Sequence, residues 1–338
     1  MKKVKVGIVG LGRLGMRHAE NLMFRIPNAE LVAACSVKPE EVEFVQQNWG
    51  VPAGYTDFDA FIENPDMEAV VIVSPSGQHC EQIEKAMAHS LHVFSEKPLG
   101  VDVAQCKQAE KAVEAHPALV FQLGFMRRFD PSYAAAKQMI REGKIGKPFL
   151  VKCTSLDPDA RIDSFLPFAP TSGGIFRDLT VHDIDLARWL LESDVKKITA
   201  AGGCYKYNEL AECDDVDNAV ALMEFQNGTV ALFDSGRIAP HGSHVETEIQ
   251  GTEGMLRIAV VPEKNRVLIY DHTGAVQECT EDFLERWQEA FLNEMTEFIS
   301  CVSEGRKPEV TVYDGTKCTE VCYAATDALH TGKTVELA

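Results

Sequence analysis

Hydrophobic and polar positions alternate in two different rhythms along this chain. Through residue 124, short β-rich apolar runs alternate with windows in which apolar residues recur at helical spacing. That is the pattern of a parallel sheet covered on both faces. Segments 4–9, 30–36, 69–73, 92–95 and 120–123 read as strands, and 12–24, 40–49, 78–89 and 102–115 as the helices between them. From about residue 125 the rhythm changes. Helices are expected at 133–140 and 176–191 and a strand at 149–154, followed by strands at 216–224, 229–235, 244–250 and 255–258. Short turns such as Gln226-Asn227-Gly228 join the later strands, which favours antiparallel pairing. Helices at 281–303 and 313–330 close the chain. The expectation is therefore an α/β, doubly wound domain over 1–124 and an α+β domain with a mostly antiparallel sheet over 125–338.

Composition narrows the function classes. A hydrophobic fraction of 45% and a charged fraction of 25% suit a folded enzyme. Fifty-one acidic against thirty-three basic residues give a net charge of −18, which disfavours nucleic acid and anionic lipid as partners. The basic and then apolar start breaks at glycines and reads as a first strand rather than a signal peptide. No apolar run is long enough to span a membrane, so a cytoplasmic location is expected. The ten cysteines are scattered without CxxC pairs and read as reduced core residues; no metal is expected.

Directly after the first strand stands Gly10-Leu11-Gly12-Arg13-Leu14-Gly15, a GxGxxG leading into a helix. Its glycines permit a tight turn and close approach of a pyrophosphate to the helix N-terminus, so a dinucleotide is the expected ligand. At the end of the second strand, where an acid usually binds the adenosine ribose, stands Ser36. With Lys38 and Arg13 as neighbouring cations, NADP is expected to be tolerated beside NAD, or even preferred; the alternative is that both cations are merely solvated. Ser74-Pro75-Ser76 and Glu96-Lys97-Pro98 follow strands, at the strand ends where open α/β sheets bind ligands. An ordinary loop ion pair is the alternative for the second of these turns.

Asp178, His182 and Asp185 stand at i, i+4 and i+7, on one face of an expected helix. A solvated polar stripe has the same spacing. An imidazole with a carboxylate one turn away is nonetheless suited to accept a proton near neutral pH.

Four segments carry a resemblance: GLGRLG at 10–15, SEKPLG at 95–100, QLGFMRRFD at 122–130 and SGGIFRDLTVHDIDLARWL at 172–190. Through them the chain resembles the Gfo/Idh/MocA family of oxidoreductases, and within it the inositol dehydrogenase branch. The resemblance implies a Rossmann domain followed by a larger open-sheet domain, NAD or NADP as cofactor, and a homotetramer assembled through that sheet. It implies oxidation of a secondary hydroxyl of a cyclic polyol, myo- or scyllo-inositol, with Lys97, Asp178 and His182 as the catalytic set. Ser74, His79, Glu96 and Lys97 are then expected around the nicotinamide, and Met126, Arg127, Asp157 and Asp185 around the polyol. His241, His244 and Phe291 stand where relatives often present tyrosines, a departure that bears on ring selectivity. Under this reading His182 is the base, Asp178 orients it and Lys97 stabilises the alkoxide. Sugar or anhydro-keto-sugar reductases, NAD-using glycosidases and non-catalytic nucleotide sensors are the alternatives on the same fold.

Overall fold

Six parallel strands form the first sheet: β1 (Val4–Val9), β2 (Ala29–Cys35), β3 (Ala53–Tyr55), β4 (Ala69–Ile72), β5 (His92–Glu96) and β6 (Phe121–Gly124). Their spatial order is β3-β2-β1-β4-β5-β6. The side on which strands are added switches between β1 and β4, and at such a point open α/β sheets bind ligands beyond the strand C-terminal ends. The strands are apolar on both faces: Val6, Ile8, Val70, Val71 and Phe94 are fully buried, as a sheet covered on two sides requires. The structure is a computed structural model that describes residues 3–258 and 263–337.

The helices between these strands start where local chemistry satisfies their first N–H groups. Asp102 accepts from the Gln105 amide at the head of Val103–Ala115, a cap that contributes about 1 kcal/mol. Pro39 opens Pro39–Trp49, with Glu40 and Glu41 in its first turn and Gly50 in the left-handed conformation at its end. The short strand β3 was not expected from the pattern, because Ala-Gly-Tyr is too brief to show alternation.

The chain folds into two compact units, the first containing residues up to Phe129 together with Glu289–Thr319, the second Asp130–Gln288 and Glu320 onward. The border thus differs from the expected 124/125 division, chiefly because Glu289–Thr319 belongs to the first unit. Met295, Phe298, Ile299 and Cys301, on one face of the helix Gln288–Glu304, join the core formed by Val6, Ile8, Val71 and Phe94. Burial of that apolar face, rather than position in the chain, decides membership.

The second unit is built on a seven-stranded sheet: β7 (Pro148–Pro158), β8 (Val195–Gly203), β9 (Asn218–Phe225), β10 (Val230–Ala239), β11 (His244–Gly251), β12 (Met255–Ile258) and, after the hairpin β13 (Glu263–Asp271) and β14 (Gly274–Cys279), β15 (Val335–Glu336). Its order is β12-β11-β7-β10-β9-β8-β15, and every neighbouring pair is antiparallel except β7 with β10. The helix Val181–Leu191, buried at every position, packs on β7. β8 and the β13–β14 hairpin escaped the sequence pattern: Lys, Ala and Gly dominate β8, and the hairpin strands are exposed along most of their length.

Strand β9 alternates strictly between buried and open positions, so one sheet face lies in the core. On the opposite face Val220, Leu222 and Leu232 are 48%, 40% and 40% exposed, an apolar patch left open among the described residues. Among the described residues no helix is long and apolar enough to cross a membrane. All ten cysteines are free.

Candidate active site

The turn after β1 assigns each glycine a separate reason. Gly10 has φ +90°, and a Cβ there would lie 2.4 Å from the Val73 carbonyl oxygen. A Cβ on Gly15 would lie 1.9 Å from the Gly10 carbonyl oxygen. Both positions are therefore closed by the protein's own backbone. At Gly12 the space around a Cβ is empty to 4 Å, φ is an ordinary −64°, and no side chain caps the helix Arg13–Glu20 that starts there. Open space beside uncapped helix amides is what a pyrophosphate requires, and Arg13 and Leu14 follow as the first helical residues. The residues present fit a bound dinucleotide.

The end of β2 differs from the sequence expectation. Ser36 donates its hydroxyl hydrogen to Glu41 at 2.6 Å, and the Lys38 ammonium lies 3.2 Å from the other oxygen of the same carboxylate. The acid missing from the strand end is thus supplied from the first turn of the following helix. Lys38 is tied to it rather than poised alone for a phosphate.

His79 joins the two turns that follow β4 and β5. Its ring nitrogens stand 2.8 Å from the Ser74 carbonyl oxygen and 2.7 Å from that of Pro98. Burial pushes this imidazole below its usual value, the two carbonyl contacts opposing. Only 1% of it is exposed, so His79 acts as a strut between the two turns. Ser74 donates to Gln82 at 2.6 Å, Pro75 caps the 3₁₀ turn Ser76–Gln78, and Ser76 begins it. Glu96 ends β5 with its carboxylate buried, 2.7 Å from His18, and half-buried Lys97 follows. Met126 and Arg127 begin a 3₁₀ turn after β6 and are 5% and 3% exposed.

In the second unit, Gly173 and Gly174 take φ +83° and +82°, and Asp215 accepts from the Ile175 amide at 2.8 Å and the Val216 amide at 2.9 Å. The expected single helix 176–191 is instead a π-helical turn, Phe176–Thr180, leading into Val181–Leu191. Asp178 lies in the wider turn and His182 and Asp185 in the regular one; such turns recur at functional sites. His182 is 7% and Asp185 1% exposed, which removes the solvated-stripe alternative for both.

The residue that organises this wall was missed. Arg237, on β10 and 2% exposed, donates to Asp178 at 3.0 Å and lies 3.6 Å from Asp157 and 3.7 Å from Asp215, with its guanidinium over the Phe165 ring at 3.7 Å. One cation serves three carboxylates. Burial raises the Asp215 carboxyl above its ordinary value, with the Arg237 charge opposing. The available signal was a charged residue at an inward position of a strand, but the expected strand ended at 235, two residues short. On the β10–β11 hairpin His241 Nε2 and His244 Nδ1 stand 3.2 Å apart, close enough that one of the two nitrogens donates.

Phe291 is corrected. Rather than bordering a polyol, it is 2% exposed in the first unit, its ring edge-on to His18 at 5.6 Å. Its place on the apolar face of Gln288–Glu304 makes it a core residue. The thiols are also remote from chemistry: burial pushes Cys35, Cys80 and Cys301 up to about 12 and Cys106 to about 11, leaving them un-ionised near neutral pH.

Residues 4–125 match a family described as "Oxidoreductase family, NAD-binding Rossmann fold", and residues 133–257 the "GFO/IDH/MocA C-terminal domain". The scyllo-inositol 2-dehydrogenase (NAD(+)) of Bacillus subtilis is 35% identical, over 99% of this chain and 96% of its own length. The myo-inositol 2-dehydrogenase of Thermotoga maritima is 32% identical, over 99% and 98%. The crystal structure of scyllo-inositol dehydrogenase from Lactobacillus casei with bound NAD(H) and scyllo-inositol shares 42% identity and a TM-score of 0.96, over 99% of each chain. The chain belongs to the GFO/IDH/MocA family of oxidoreductases, and its first unit is that family's NAD-binding Rossmann fold.

Proposed function

We propose that this chain oxidises one secondary hydroxyl of a cyclic polyol to the ketone, with scyllo-inositol and then myo-inositol as the substrates to test first. The observation that carries the reading is the wall of Asp178, His182 and Asp185 on consecutive turns, with His182 and Asp185 buried and Asp178 paired with one buried guanidinium. Full-length likeness to enzymes named for these two substrates supports it.

An alcohol releases hydride readily only as its hydroxyl proton leaves. His182 takes that proton, Asp178 stabilises the imidazolium, and Lys97 offsets the negative charge developing on the oxygen. The dinucleotide, when bound at Gly10, Gly12, Arg13, Leu14 and Gly15, supplies the hydride acceptor. Asp157, Asp185, His241 and His244 supply acceptors and donors for ring hydroxyls, and Met126 and Arg127 are assigned to the polyol by family likeness.

NAD is the preferred cofactor in this reading, because Glu41 places a carboxylate at Ser36 where a 2′-phosphate would lie. The open face of the second sheet, with Val220, Leu222 and Leu232, is the contact of a homotetramer. A reducing, cytoplasmic setting fits ten free thiols in a chain of this length.

The test follows reduction of NAD and of NADP with scyllo-inositol, myo-inositol, glucose and xylose, using the parental enzyme and His182→Ala. The variant is expected to lose roughly a hundredfold or more in kcat while binding NAD as before. Parental turnover in the variant, or no turnover of any polyol by the parental enzyme, overturns the reading.

A further inference from the structure

Beneath Lys97, three titratable side chains from separate elements meet out of contact with water. His18 comes from the helix Arg13–Glu20, Glu96 from the end of β5 and Glu294 from the helix Gln288–Glu304; His18 and Glu294 are 0% exposed and Glu96 5%. His18 Nε2 stands 2.7 Å from Glu96 Oε1 and 4.0 Å from Glu294 Oε1. The other Glu96 oxygen accepts the Lys97 backbone N–H at 3.2 Å. Gly124 leaves room for that carboxylate, since a Cβ there would lie 2.9 Å from it. The Phe94 and Phe291 rings close the sides of the imidazole, each 5.6 Å away.

We propose that His18 is a positioning residue for Lys97: His18 donates to Glu96, Glu96 accepts the Lys97 N–H, and Glu294 only closes the far side of the imidazole. The inference rests on the catalytic assignment of Lys97 above. Its physical content is the placement of one negative charge. Two carboxylates cannot both ionise at this separation without water. Both Glu294 oxygens are buried and accept no hydrogen bond among the described residues, so its anion lacks the hydrogen bonds that would stabilise it. Burial and the neighbouring Glu96 charge hold its carboxyl well above the ordinary range. Glu96 fixes the start of the Lys97 turn through its second oxygen, and His79 holds the Pro98 carbonyl one residue later.

The ligand atoms of this trio lie within 4.8 Å of one another, a spacing that also suits a metal ion. Two features favour the proton. A ligating histidine normally donates its other ring N–H, and ligating carboxylates are normally hydrogen-bonded. Here His18 Nδ1 and both Glu294 oxygens have no such partner among the described residues. The 2.7 Å contact between His18 and Glu96 is itself a hydrogen bond, so this pair is satisfied by a proton.

The experiment compares the parental enzyme with His18→Leu, His18→Gln, Glu294→Gln and Lys97→Ala. It reads kcat, KM, the NAD dissociation constant, bound metal and the acylation rate of Lys97 by peptide mapping. His18→Leu is expected to lower kcat about tenfold or more with NAD affinity within about threefold, the scale of losing one charged hydrogen bond. His18→Gln, whose amide can donate to Glu96, restores most of that loss, and Glu294→Gln stays within about threefold of the parent. Lys97 acylation shifts in His18→Leu and returns in His18→Gln, a readout that needs no turnover. Parental kcat and acylation in His18→Leu, equal losses in His18→Leu and His18→Gln, a Glu294→Gln loss as large as theirs, or stoichiometric metal in the parent would each overturn the inference. If His18→Leu does not fold, His18→Gln and Glu294→Gln decide by the same criteria. A fully active Lys97→Ala would instead sink the catalytic reading, and the positioning role with it, whereas an inactive Lys97→Ala beside a normal His18→Leu sinks the positioning role alone.

Discussion

The Arg237 guanidinium donates to Asp178 across 3.0 Å while remaining 2% exposed, so the carboxylate assigned to orient His182 is itself held by a buried cation from the neighbouring strand. The pair lies in a cluster with Asp157 and Asp215 whose net charge without Arg237 would be strongly negative. Removal of that cation is therefore a test of the whole wall.

Arg237→Met is expected to cost about 3 kcal/mol of stability, because it leaves the buried Asp215 and the partly buried Asp178 without a counter-charge. Arg237→Lys keeps the charge but loses the planar fork and should recover part of the stability, with kcat still reduced. Urea unfolding and steady-state kinetics on both variants decide; an Arg237→Met protein as stable and active as the parent contradicts the assignment.

Glu41→Gln removes the carboxylate beside Ser36 while preserving its size. The ratio of kcat/KM with NADP to that with NAD should rise roughly tenfold, since a like charge no longer faces the 2′-phosphate. An unchanged ratio would mean that the ribose end lies elsewhere.

Two glycines of one motif should fail differently. Gly15→Ala drives a methyl group to 1.9 Å from the Gly10 carbonyl oxygen, so the turn must move and stability falls. Gly12→Ala meets open space at an ordinary φ and should fold with nearly parental thermal stability, yet bind NAD at least tenfold more weakly because the methyl occupies the phosphate's place. Calorimetric titration beside thermal melts separates the two.

Glu294 makes stability depend on pH with a definite sign. Its folded carboxyl titrates well above the ordinary 4.5, so its contribution is complete below that value and is lost as pH rises through the folded value. Glu294→Gln cannot ionise. The variant should therefore gain stability relative to the parent with rising pH, by up to about 1.4 kcal/mol per unit, levelling off once the parental carboxyl has ionised. Urea unfolding between about pH 6 and 9 measures this, and a flat difference over that range counts against a neutral Glu294. His79 does not confuse the result: its depressed value acts on the acid side, where stability falls as pH drops below 6.5.

Much of the first unit was legible because its determinants are local. GLGRLG stands between a strand and a helix, β-rich runs alternate with amphipathic windows, and five of the six strands fall where that pattern puts them. In the second unit Asp178, His182 and Asp185 were legible as a spacing, while the π turn that carries Asp178 was not. One extra residue in a helical turn leaves the hydrophobic period almost unchanged.

Spacing and composition were sufficient for most strands of the first sheet, the glycine turn and the row of acid and imidazole, since each depends on neighbours within a few residues. Tertiary structure alone decided three things. Glu289–Thr319 returned to the first core. Glu41 supplied the acid absent from position 36. Charges distant in the chain met in the interior, Arg237 with Asp178 and His18 with Glu96 and Glu294. The reason is that a charge reads as a solvated surface residue until burial removes its water and forces it to find a partner, and that partner can come from any part of the chain.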